Sequence, residues 1–267
     1  MVNQDLQGVP RTLLIPLWAR ATESKRSDAI IRDELSVEMV KQIDFDFSQF
    51  NKEWATQVSV AVRTEILDKA AKTFIDKHPK AVIINLGCGL DTRFFRMDNG
   101  SIRWYDLDLP GPIGIRKHFF SDTDRYKMIE KSVFDYSWEN DIVRDGEPVL
   151  IIAEGLLMYF MEQEIKGLMN NLVTTFPKAE MLFEMVTPAM VRYSEEHVRE
   201  RFNISTKFQW GITSGKESLK LSDKIKFIEE WNYMDYHKPR WNLLRVITLI
   251  TGYKNKYCNR IVHLLFS

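Results

Sequence analysis

Apolar residues between Thr12 and Lys77 recur at the three- and four-residue spacing of amphipathic helices. The clearest example is the series Trp54, Val58, Ala61, Val62, Ile66, Ala70 and Phe74, which has charged residues between its members. This spacing places the apolar side chains on one helical face. We therefore predict that residues 1–77 form a helical N-terminal layer.

From Ala81 onward the apolar residues form short continuous runs instead. Four runs rich in aliphatic or β-branched residues follow one another: "AVIINL", "RWYDLD", "PVLIIAEG" and "EMLFEMV". The segments between them are long enough for helices. Strands that are apolar along their whole length are typical of parallel sheets covered on both faces. Residues 78–267 are therefore predicted to form an α/β core with a mostly parallel sheet and helices on both faces, and the whole chain a single compact unit.

After Pro188 the pattern predicts three further features. The charged stretch "RYSEEHVRERF" is typical of an exposed helix, and "FQWGITSGKESL", with two glycines, of a loop. The stretches "DKIKFIEEWNYMDYH" and "NRIVHLLFS" are predicted to supply the last two strands of the sheet.

The charge balance narrows the choice of partners. Lys plus Arg and Asp plus Glu each number 37, so the chain lacks the strong basic field of nucleic-acid-binding proteins. No segment reaches the roughly 18 uninterrupted apolar residues of a membrane span, and the N-terminus lacks the apolar run of a signal peptide. We expect a soluble, cytoplasmic protein with small-molecule partners, and neither nucleic acid nor membrane. The sequence gives no prediction of oligomeric state.

The cysteines and histidines predict no metal site. Cys88 and Cys258 are too few for a disulfide framework or a cysteine-based zinc site, which points to a reducing compartment. The five histidines show no close ligand spacing.

Two glycines, Gly87 and Gly89, follow the first predicted strand in "AVIINLGCGLDTR". Glycine permits a tight turn there and a close approach of ligand to backbone, at the edge of the sheet where α/β proteins bind ligands. Asp108 ends the next predicted strand, 21 residues after Gly87. An acidic residue at that distance is placed to accept hydrogen bonds from the ribose of an adenosine cofactor.

The identity of this cofactor depends on the residues after the glycines. Thr92 stands where a dinucleotide-binding turn would have its third glycine, and Asp91 adds a negative charge that a pyrophosphate would oppose. S-adenosylmethionine, with a positive sulfonium and amino group, suits a turn flanked by Asp91 and Glu154. Two alternatives remain open: a nicotinamide-dependent oxidoreductase and a module that binds an adenosyl ligand without catalysis.

Several blocks together resemble the leucine carboxyl methyltransferase family. They are "RTLLIPLWARATES", "VIINLGCGLDTRFFR", "WYDLDLP" and "IIAEGLLMYF", and the resemblance extends from about residue 10 to "FQWGITSGKE" near residue 217. The chain is most similar to a bacterial branch that methylates small molecules, polyketides among them. The resemblance implies a class I S-adenosylmethionine-dependent methyltransferase with a Rossmann-like, seven-stranded sheet. It also implies a substrate-covering segment, expected at residues 188–222.

The resemblance also assigns cofactor-binding roles. Arg63 matches a family arginine that clamps the methionine carboxylate, and its alternative is an ordinary surface arginine. The backbone of Gly87, Cys88 and Gly89 would line the methionine portion. Asp108 would bind the ribose, although Asp106 points to the same side of the strand and could exchange roles with it.

The remaining two blocks supply candidates for the adenine contact and for the end of the site where the methyl group would be transferred. Ser132 and Val133 occupy the adenine position, with Asp135 as a neighbouring alternative. Glu154 ends an apolar strand, where a carboxylate needs a partner. That partner is either the positive end of the cofactor or a salt bridge to Arg63 or Arg93. Tyr159 matches a family tyrosine that faces the substrate, and is the one candidate catalytic residue.

The acceptor is expected to be the hydroxyl or carboxylate oxygen of an aromatic or polyketide-like molecule. A phenol would need a base, and Tyr193, His197 and His237 are candidates for it. An apolar pocket, or alternatively part of the core, would be formed by Met158, Phe160, Met181, Met185, Phe208 and Trp210.

Overall fold

A computed structural model of the chain describes residues 11–194, 207–242, 244–247 and 253–267. Its centre is a seven-stranded sheet in the order β3-β2-β1-β4-β5-β7-β6. The strands are β1 Val82–Leu86, β2 Arg103–Asp108, β3 Tyr126–Glu130, β4 Val149–Ala153, β5 Glu180–Met185, β6 Ile225–Asn232 and β7 Arg260–Phe266.

The first five strands are parallel, and β7 is antiparallel to both β5 and β6. The strand order reverses between β1 and β4, because β2 and β3 lie on one side of β1 while β4 and β5 lie on the other. Ligands of such sheets bind beyond the carboxyl ends of the strands at this reversal point. The predicted Rossmann-like, mostly parallel, seven-stranded sheet is therefore confirmed.

Helices cover both faces of the sheet, as predicted. They are α1 Arg11–Ser24, α2 Glu34–Gln42, α3 Trp54–Lys77, α4 Arg93–Met97, α5 Pro110–Phe119, α6 Glu162–Thr175, α7 Pro188–Tyr193, α8 Leu244–Ile247 and α9 Tyr253–Tyr257. Short 3-10 helices occur at Phe47–Phe50, Tyr136–Asp141, Leu157–Tyr159, Gly215–Lys220, Tyr233–Asp235 and Lys238–Trp241.

Alternation along each strand builds two cores. In β1, Ile83 faces a core shared with helices α1, α3, α4 and α5, whereas Val82, Ile84 and Leu86 face a second core shared with α6. Because both faces are buried, β1 is apolar almost throughout, which is the pattern that predicted a covered parallel sheet.

The last helix before the sheet, α3, ends at Lys77. Val58, Ala61, Val62, Ile66 and Phe74 are buried as their spacing predicted. Trp54 differs, because it begins α3 and 39% of its surface remains exposed.

The last two strands are confirmed as β6 and β7. Between them the chain forms an irregular stretch, Tyr233–Asn242, which we call the strap; His237 and Asn242 there have φ of 47° and 48°. The predicted loop after Phe208 is irregular until the 3-10 helix at Gly215–Lys220. Most of the predicted exposed helix "RYSEEHVRERF", residues 195–202, lies outside the described residues. Among the residues described, no helix is both long and apolar enough to cross a bilayer.

Candidate active site

The turn after β1 has the backbone geometry that glycine permits. Gly87 and Gly89 have φ of 63° and 49°, in the left-handed region that other residues rarely adopt. A Cβ on Gly87 would lie 2.7 Å from Cδ1 of Leu156, and one on Gly89 would lie 2.9 Å from Cδ2 of Leu13. Glycine is thus required for two reasons, the backbone conformation and the close packing of these two leucines.

Asp108 lies beside this turn, at the carboxyl end of β2. One of its carboxylate oxygens accepts a hydrogen bond from the backbone N–H of Gly89 and the other from that of Leu109, both at 2.7 Å. Burial raises the pKa of Asp108 above its usual value, and the two N–H donors act in the opposite direction. Each oxygen keeps a lone pair for a further donor.

Asp106, the alternative to Asp108, is occupied inside the protein. It is 1% exposed and pairs with Arg116, while its oxygens also accept from Asn85, Trp104 and the hydroxyl of Tyr126. Asp108 is therefore the acidic residue of β2 that faces the crevice, the ligand-binding region beyond the carboxyl ends of the parallel strands.

Two arginines support the turn from behind. Arg116 donates to the carbonyl oxygens of Gly89 at 3.0 Å and Asp91 at 2.6 Å, and Arg20 donates to that of Leu90 at 2.7 Å. Cys88 is buried within the turn, and burial raises the pKa of its thiol well above the usual value. The thiol thus stays protonated, as expected of a small packing residue.

Glu154 follows β4 and is held between two arginines. Its carboxylate lies 2.7 Å from Arg63 and 2.7 Å from Arg93, so the salt-bridge alternative for Glu154 is what the structure shows, with both arginines as partners. Burial alone would raise the pKa of Glu154, but the two guanidinium charges outweigh it and lower the pKa to about 2. Arg63 also pairs with Glu184, at the end of β5, at 2.7 Å.

These pairs belong to a larger buried arrangement, the arginine network, that joins the helical layer to the strand ends. It contains one carboxylate more than it has guanidinium groups. A surplus of negative charge at this edge favours a positively charged ligand group. The network consists of Arg20, Arg63, Arg93 and Arg96 with Asp33, Asp68, Asp91, Glu154 and Glu184.

Ser132 and Val133 lie just after β3, on the same edge of the sheet. The Ser132 hydroxyl accepts from the backbone N–H of Phe134 at 3.2 Å, and the Val133 carbonyl accepts from the indole N–H of Trp138 at 3.2 Å. Asp135 is exposed and accepts from the backbone N–H of Ser137. Ser132, Val133 and Asp135 thus follow the carboxyl end of a strand, at the ligand-binding edge of the sheet, and the adenine contact itself stays a prediction.

A cavity of about 910 Å³ lies between the helical layer, the end of β5, α7 and the strap. Its inner end is formed by Arg63, Gly155 and Glu184, where β4 and β5 end. Most of its wall is aromatic or aliphatic. The aromatic residues include Trp54, Tyr159, Phe208, Tyr233, Trp241 and Tyr257.

The predicted pocket residues agree with this cavity only in part. Met158 and Phe208 line it. Three of them belong to the second core, which was the alternative to a pocket: Trp210, Met181 and Met185 are at most 5% exposed. Phe160 packs edge-on against Phe134, with ring centroids 4.7 Å apart.

Sequence reasoning missed Tyr233, Trp241, Tyr253 and Tyr257, which line the cavity. They come from the strap and α9, stretches too irregular or too short for a periodicity to reveal. It also missed Glu184, although a carboxylate within the apolar run "EMLFEMV" is the same signal that identified Glu154. From the segment 188–222, Met190, Tyr193, Ser194 and Phe208 line the cavity, while Ile212 and Leu221 pack in the core.

Tyr159 lies in the cavity wall, where its ring meets that of Phe208 edge-on at 5.3 Å. Burial, with the nearby negative charge of Glu184, raises the pKa of Tyr159 to about 12. At neutral pH this phenol is therefore a hydrogen-bond donor and not a base. Of the other base candidates, Tyr193 lines the cavity and His197 lies outside the described residues.

The strap is fixed to the helical layer by ion pairs of Arg240 and by a hydrogen bond of His237. Arg240 lies 2.7 Å from Glu23 of α1, and His237 lies 2.7 Å from Glu65 of α3. Trp241 is buried and lines the cavity. The strap thus forms part of the cavity wall, and the covering role of the segment 188–222 stays a prediction. The described residues contain no group of three or more His, Cys, Asp or Glu side chains arranged to hold a metal ion.

Comparison with known sequences identifies a family and several relatives. The profile of the family "Leucine carboxyl methyltransferase" matches residues 14–173. The tetracenomycin polyketide synthesis O-methyltransferase TcmP of Streptomyces glaucescens is 32% identical over 86% of this chain and 85% of its own length. The S-adenosyl-L-methionine-dependent methyltransferase dpfgK of Gibberella zeae is 28% identical over 79% and 78% of the two chains.

Solved structures share the fold at low sequence identity. A protein from Thermobifida fusca described as a methyltransferase superposes with a TM-score of 0.59 at 12% identity, covering 93% of this chain and 94% of its own. Magnesium protoporphyrin IX methyltransferase from Synechocystis, with S-adenosylhomocysteine bound, gives 0.52 at 8% identity, covering 88% and 100%. Both sequence relatives are named as methyltransferases, which is the class predicted for this chain.

Proposed function

Since the chain belongs to the leucine carboxyl methyltransferase family and is an S-adenosylmethionine-dependent methyltransferase, we propose that it methylates an oxygen of a small aromatic or polyketide-like molecule. The relative TcmP, whose name assigns it to polyketide synthesis as an O-methyltransferase, supports this acceptor class.

The observation that carries the proposal is the large aromatic cavity that ends beside the cofactor crevice. Its volume of about 910 Å³ lies within the range of cavities that enclose drug-sized ligands, and exceeds what a single ring would fill. Aromatic walls favour flat, apolar ligands through stacking and edge contacts. The inner end at Arg63, Gly155 and Glu184 brings such a ligand to the carboxyl ends of β4 and β5.

The crevice residues fit the adenosyl cofactor. We propose that Asp108 binds the ribose hydroxyls, because each of its oxygens accepts a single backbone N–H and has a lone pair left. The turn formed by Gly87, Cys88 and Gly89 would lie along the methionine portion. Ser132 and Val133, after β3, would contact adenine.

Arg63 and Glu154 would hold the charged end of the cofactor. Two of the five N–H groups of Arg63 are used by Glu154 and Glu184, and its Nε is buried without a partner among the described residues. Arg63 thus keeps donors for the methionine carboxylate. Glu154, charged at neutral pH, would face the positive amino group while it remains paired with the arginines.

When bound, S-adenosylmethionine supplies a methyl group on a good leaving group, the sulfonium sulfur. The protein then has to position the acceptor oxygen and exclude water. The strap and the aromatic walls would limit the access of water to a bound acceptor. Tyr159, which is neutral at pH 7, would donate a hydrogen bond to orient the acceptor.

A labelled-methyl assay tests the function. The enzyme is incubated with radiolabelled S-adenosylmethionine and a panel of polycyclic aromatic hydroxyl and carboxyl compounds, amines and thiols. Label in an ether or ester of an oxygen acceptor is the expected result. Label found only in amines or thiols would contradict O-methylation.

Calorimetric titration with S-adenosylhomocysteine tests the crevice. Asp108→Ala should weaken binding by about 1–3 kcal/mol, because it removes a charged acceptor. Asp124→Ala, at an exposed position before β3 and at the opposite edge of the sheet, is the control and should leave affinity unchanged. Equal affinities for both variants would remove Asp108 from the cofactor site.

A further inference from the structure

Tyr233 is a buried tyrosine at the start of the strap, directly after β6. Its backbone N–H donates to the backbone carbonyl oxygen of Asn259, the residue before β7, at 3.3 Å. The side-chain amide of Asn259 in turn donates to Glu184 of β5 at 3.2 Å. Tyr233, Asn259 and Glu184 all line the cavity. The antiparallel pairing of β7 with β5 and β6 therefore brings Tyr233 to the inner end of the cavity.

The hydroxyl of Tyr233 is buried and has no hydrogen-bond partner among the described residues. Burial, and after it the negative charge of Glu184, raises the pKa of Tyr233 well above its usual value, so the phenol keeps its proton at neutral pH. Each oxygen of Glu184 already accepts a hydrogen bond, one from Arg63 and the other from Asn259. Buried polar groups without a partner are rare and costly. A bound molecule would supply the partner that the protein does not.

Two further polar atoms beside Glu184 are buried without partners in the described part of the chain. They are Nε of Arg63 and the side-chain carbonyl oxygen of Asn259. Both residues line the cavity, as Tyr233 does. Ligand pockets are typically apolar, with a few convergent polar groups that orient the ligand. The inner end of this aromatic cavity has that character.

A second phenol lies near the same carboxylate. Tyr159 follows β4 and Tyr233 follows β6, and β5, which carries Glu184, lies between these strands in the sheet. The charge of Glu184 also contributes to the raised pKa of Tyr159. Two phenols that keep their protons thus face the inner end from opposite sides of β5. Each can donate one hydrogen bond to a ligand oxygen.

We propose, on the basis of the proposed O-methylation, that the Tyr233 hydroxyl binds the methyl acceptor by donating a hydrogen bond to an oxygen of its reacting group. Tyr159 would donate to the same group from the side of β4. Two donors restrict the direction in which the acceptor oxygen points, and orientation of this kind accelerates methyl transfer. The assignment applies equally to a carboxylate and to a hydroxyl, because the oxygens of both accept hydrogen bonds.

Tyr233→Phe tests this role, because it removes the hydroxyl and keeps the ring. The thermal midpoint of the ligand-free enzyme should equal that of the wild type or rise, since an unpaired buried polar group is lost. Affinity for S-adenosylhomocysteine should stay within about threefold. The acceptor is the oxygen compound that takes up most label in the methyl-transfer panel. We expect kcat/KM for this compound to fall about tenfold, as one hydrogen bond is removed.

Tyr105→Phe is the matched control. Tyr105 lies in the middle of β2 and is 3% exposed, compared with 2% for Tyr233. Its hydroxyl has a partner, because it accepts from the backbone N–H of Val143 at 3.0 Å. The same chemical change should here lower the thermal midpoint by about 2–4 °C and leave kcat/KM unchanged.

A lower kcat/KM of Tyr233→Phe without a loss of stability supports the inference. A fall in thermal midpoint as large as that of Tyr105→Phe, or a variant that does not fold, overturns it, because the hydroxyl would then bond within the protein. Unchanged kcat/KM also overturns it. A tenfold loss of S-adenosylhomocysteine affinity does so too, because the hydroxyl would then bind the cofactor.

The wild-type enzyme tests the proposed function separately. Label found only in amines or thiols overturns O-methylation and the inference with it. Label in an oxygen compound leaves O-methylation intact whatever Tyr233→Phe shows. If no compound of the panel takes up label, the thermal midpoint and the S-adenosylhomocysteine affinity of Tyr233→Phe decide the inference.

Discussion

Replacing Gly87 with alanine tests how closely the turn after β1 is packed. Gly87 has a φ of 63°, where an L-residue costs about 1–2 kcal/mol. The new Cβ would also lie 2.7 Å from Cδ1 and 3.2 Å from Cδ2 of Leu156. Displacing that partly buried side chain adds about 1–3 kcal/mol. Alanine also restricts the unfolded chain, which offsets up to about 1 kcal/mol, so we expect Gly87→Ala to lower the free energy of unfolding by about 1–4 kcal/mol.

Gly100→Ala is the matched control for the backbone contribution. Gly100 has a φ of 81°, and a Cβ there would meet no atom within 4 Å. Gly100→Ala should therefore lower the free energy of unfolding by about 1 kcal/mol, since alanine also restricts the unfolded chain. In a double mutant, Leu156→Ala removes the steric part of the Gly87→Ala cost, so the two changes should cost about 1–2 kcal/mol less than their sum.

Urea unfolding gives these free energies, provided that the dependence on denaturant stays constant among the variants. Titration with S-adenosylhomocysteine shows whether the turn is also distorted: affinity should fall for Gly87→Ala and not for Gly100→Ala. Equal stability losses at Gly87 and Gly100, or strict additivity with Leu156→Ala, would refute the packing argument.

Three further predictions concern the supports of the site. Arg116→Lys removes one of the two carbonyl contacts behind the glycine turn, and should weaken S-adenosylhomocysteine binding by about tenfold. Lys117→Ala, at the exposed neighbouring position, should have no effect. Equal affinities of the two variants would contradict this role of Arg116. Arg240→Ala leaves the buried carboxylate of Glu23 unpaired, and should raise KM for the acceptor more than it lowers kcat, because the strap loosens; an unchanged KM would argue against a covering role. The stability contribution of Glu154, whose pKa is lowered from about 4.5 to about 2, is complete above pH 4.5 and is lost as the pH falls through about 2. The stability difference between wild type and Glu154→Gln should therefore shrink as urea titrations move from pH 5 to pH 2, and a constant difference would contradict the low pKa.

The sheet and the cofactor turn could be predicted because their signals are local. The run ending in Leu86 is buried on both faces, so its composition alone indicates a covered strand. Gly87, Gly89 and Asp108 belong to adjacent strand ends, and the short crossover between β1 and β2 fixes their separation along the chain. Local patterns of this kind need no knowledge of distant contacts.

The acceptor end could not be predicted in the same way, because its parts come from distant segments. Arg63 and Glu184 are 121 residues apart in the chain, and no periodicity connects them. Trp241 and Tyr257 lie in a 3-10 helix and a one-turn helix, where hydrophobic spacing carries no information about which side is buried. Trp210 is the opposite case. Its position next to a glycine suggested that it lines a pocket, but its ring packs in the core, with its centroid 6.4 Å from that of Phe183.

Arg63 explains why a helical layer is added in front of the sheet. Without α3, Glu184 would lose its guanidinium partner and Glu154 would keep only Arg93, and a buried unpaired charge is costly. By pairing with Glu154 after β4 and Glu184 from β5, Arg63 links the ends of two adjacent strands. The layer therefore supplies a positive charge to two buried carboxylates, at the edge of the sheet where we propose that methyl donor and acceptor meet.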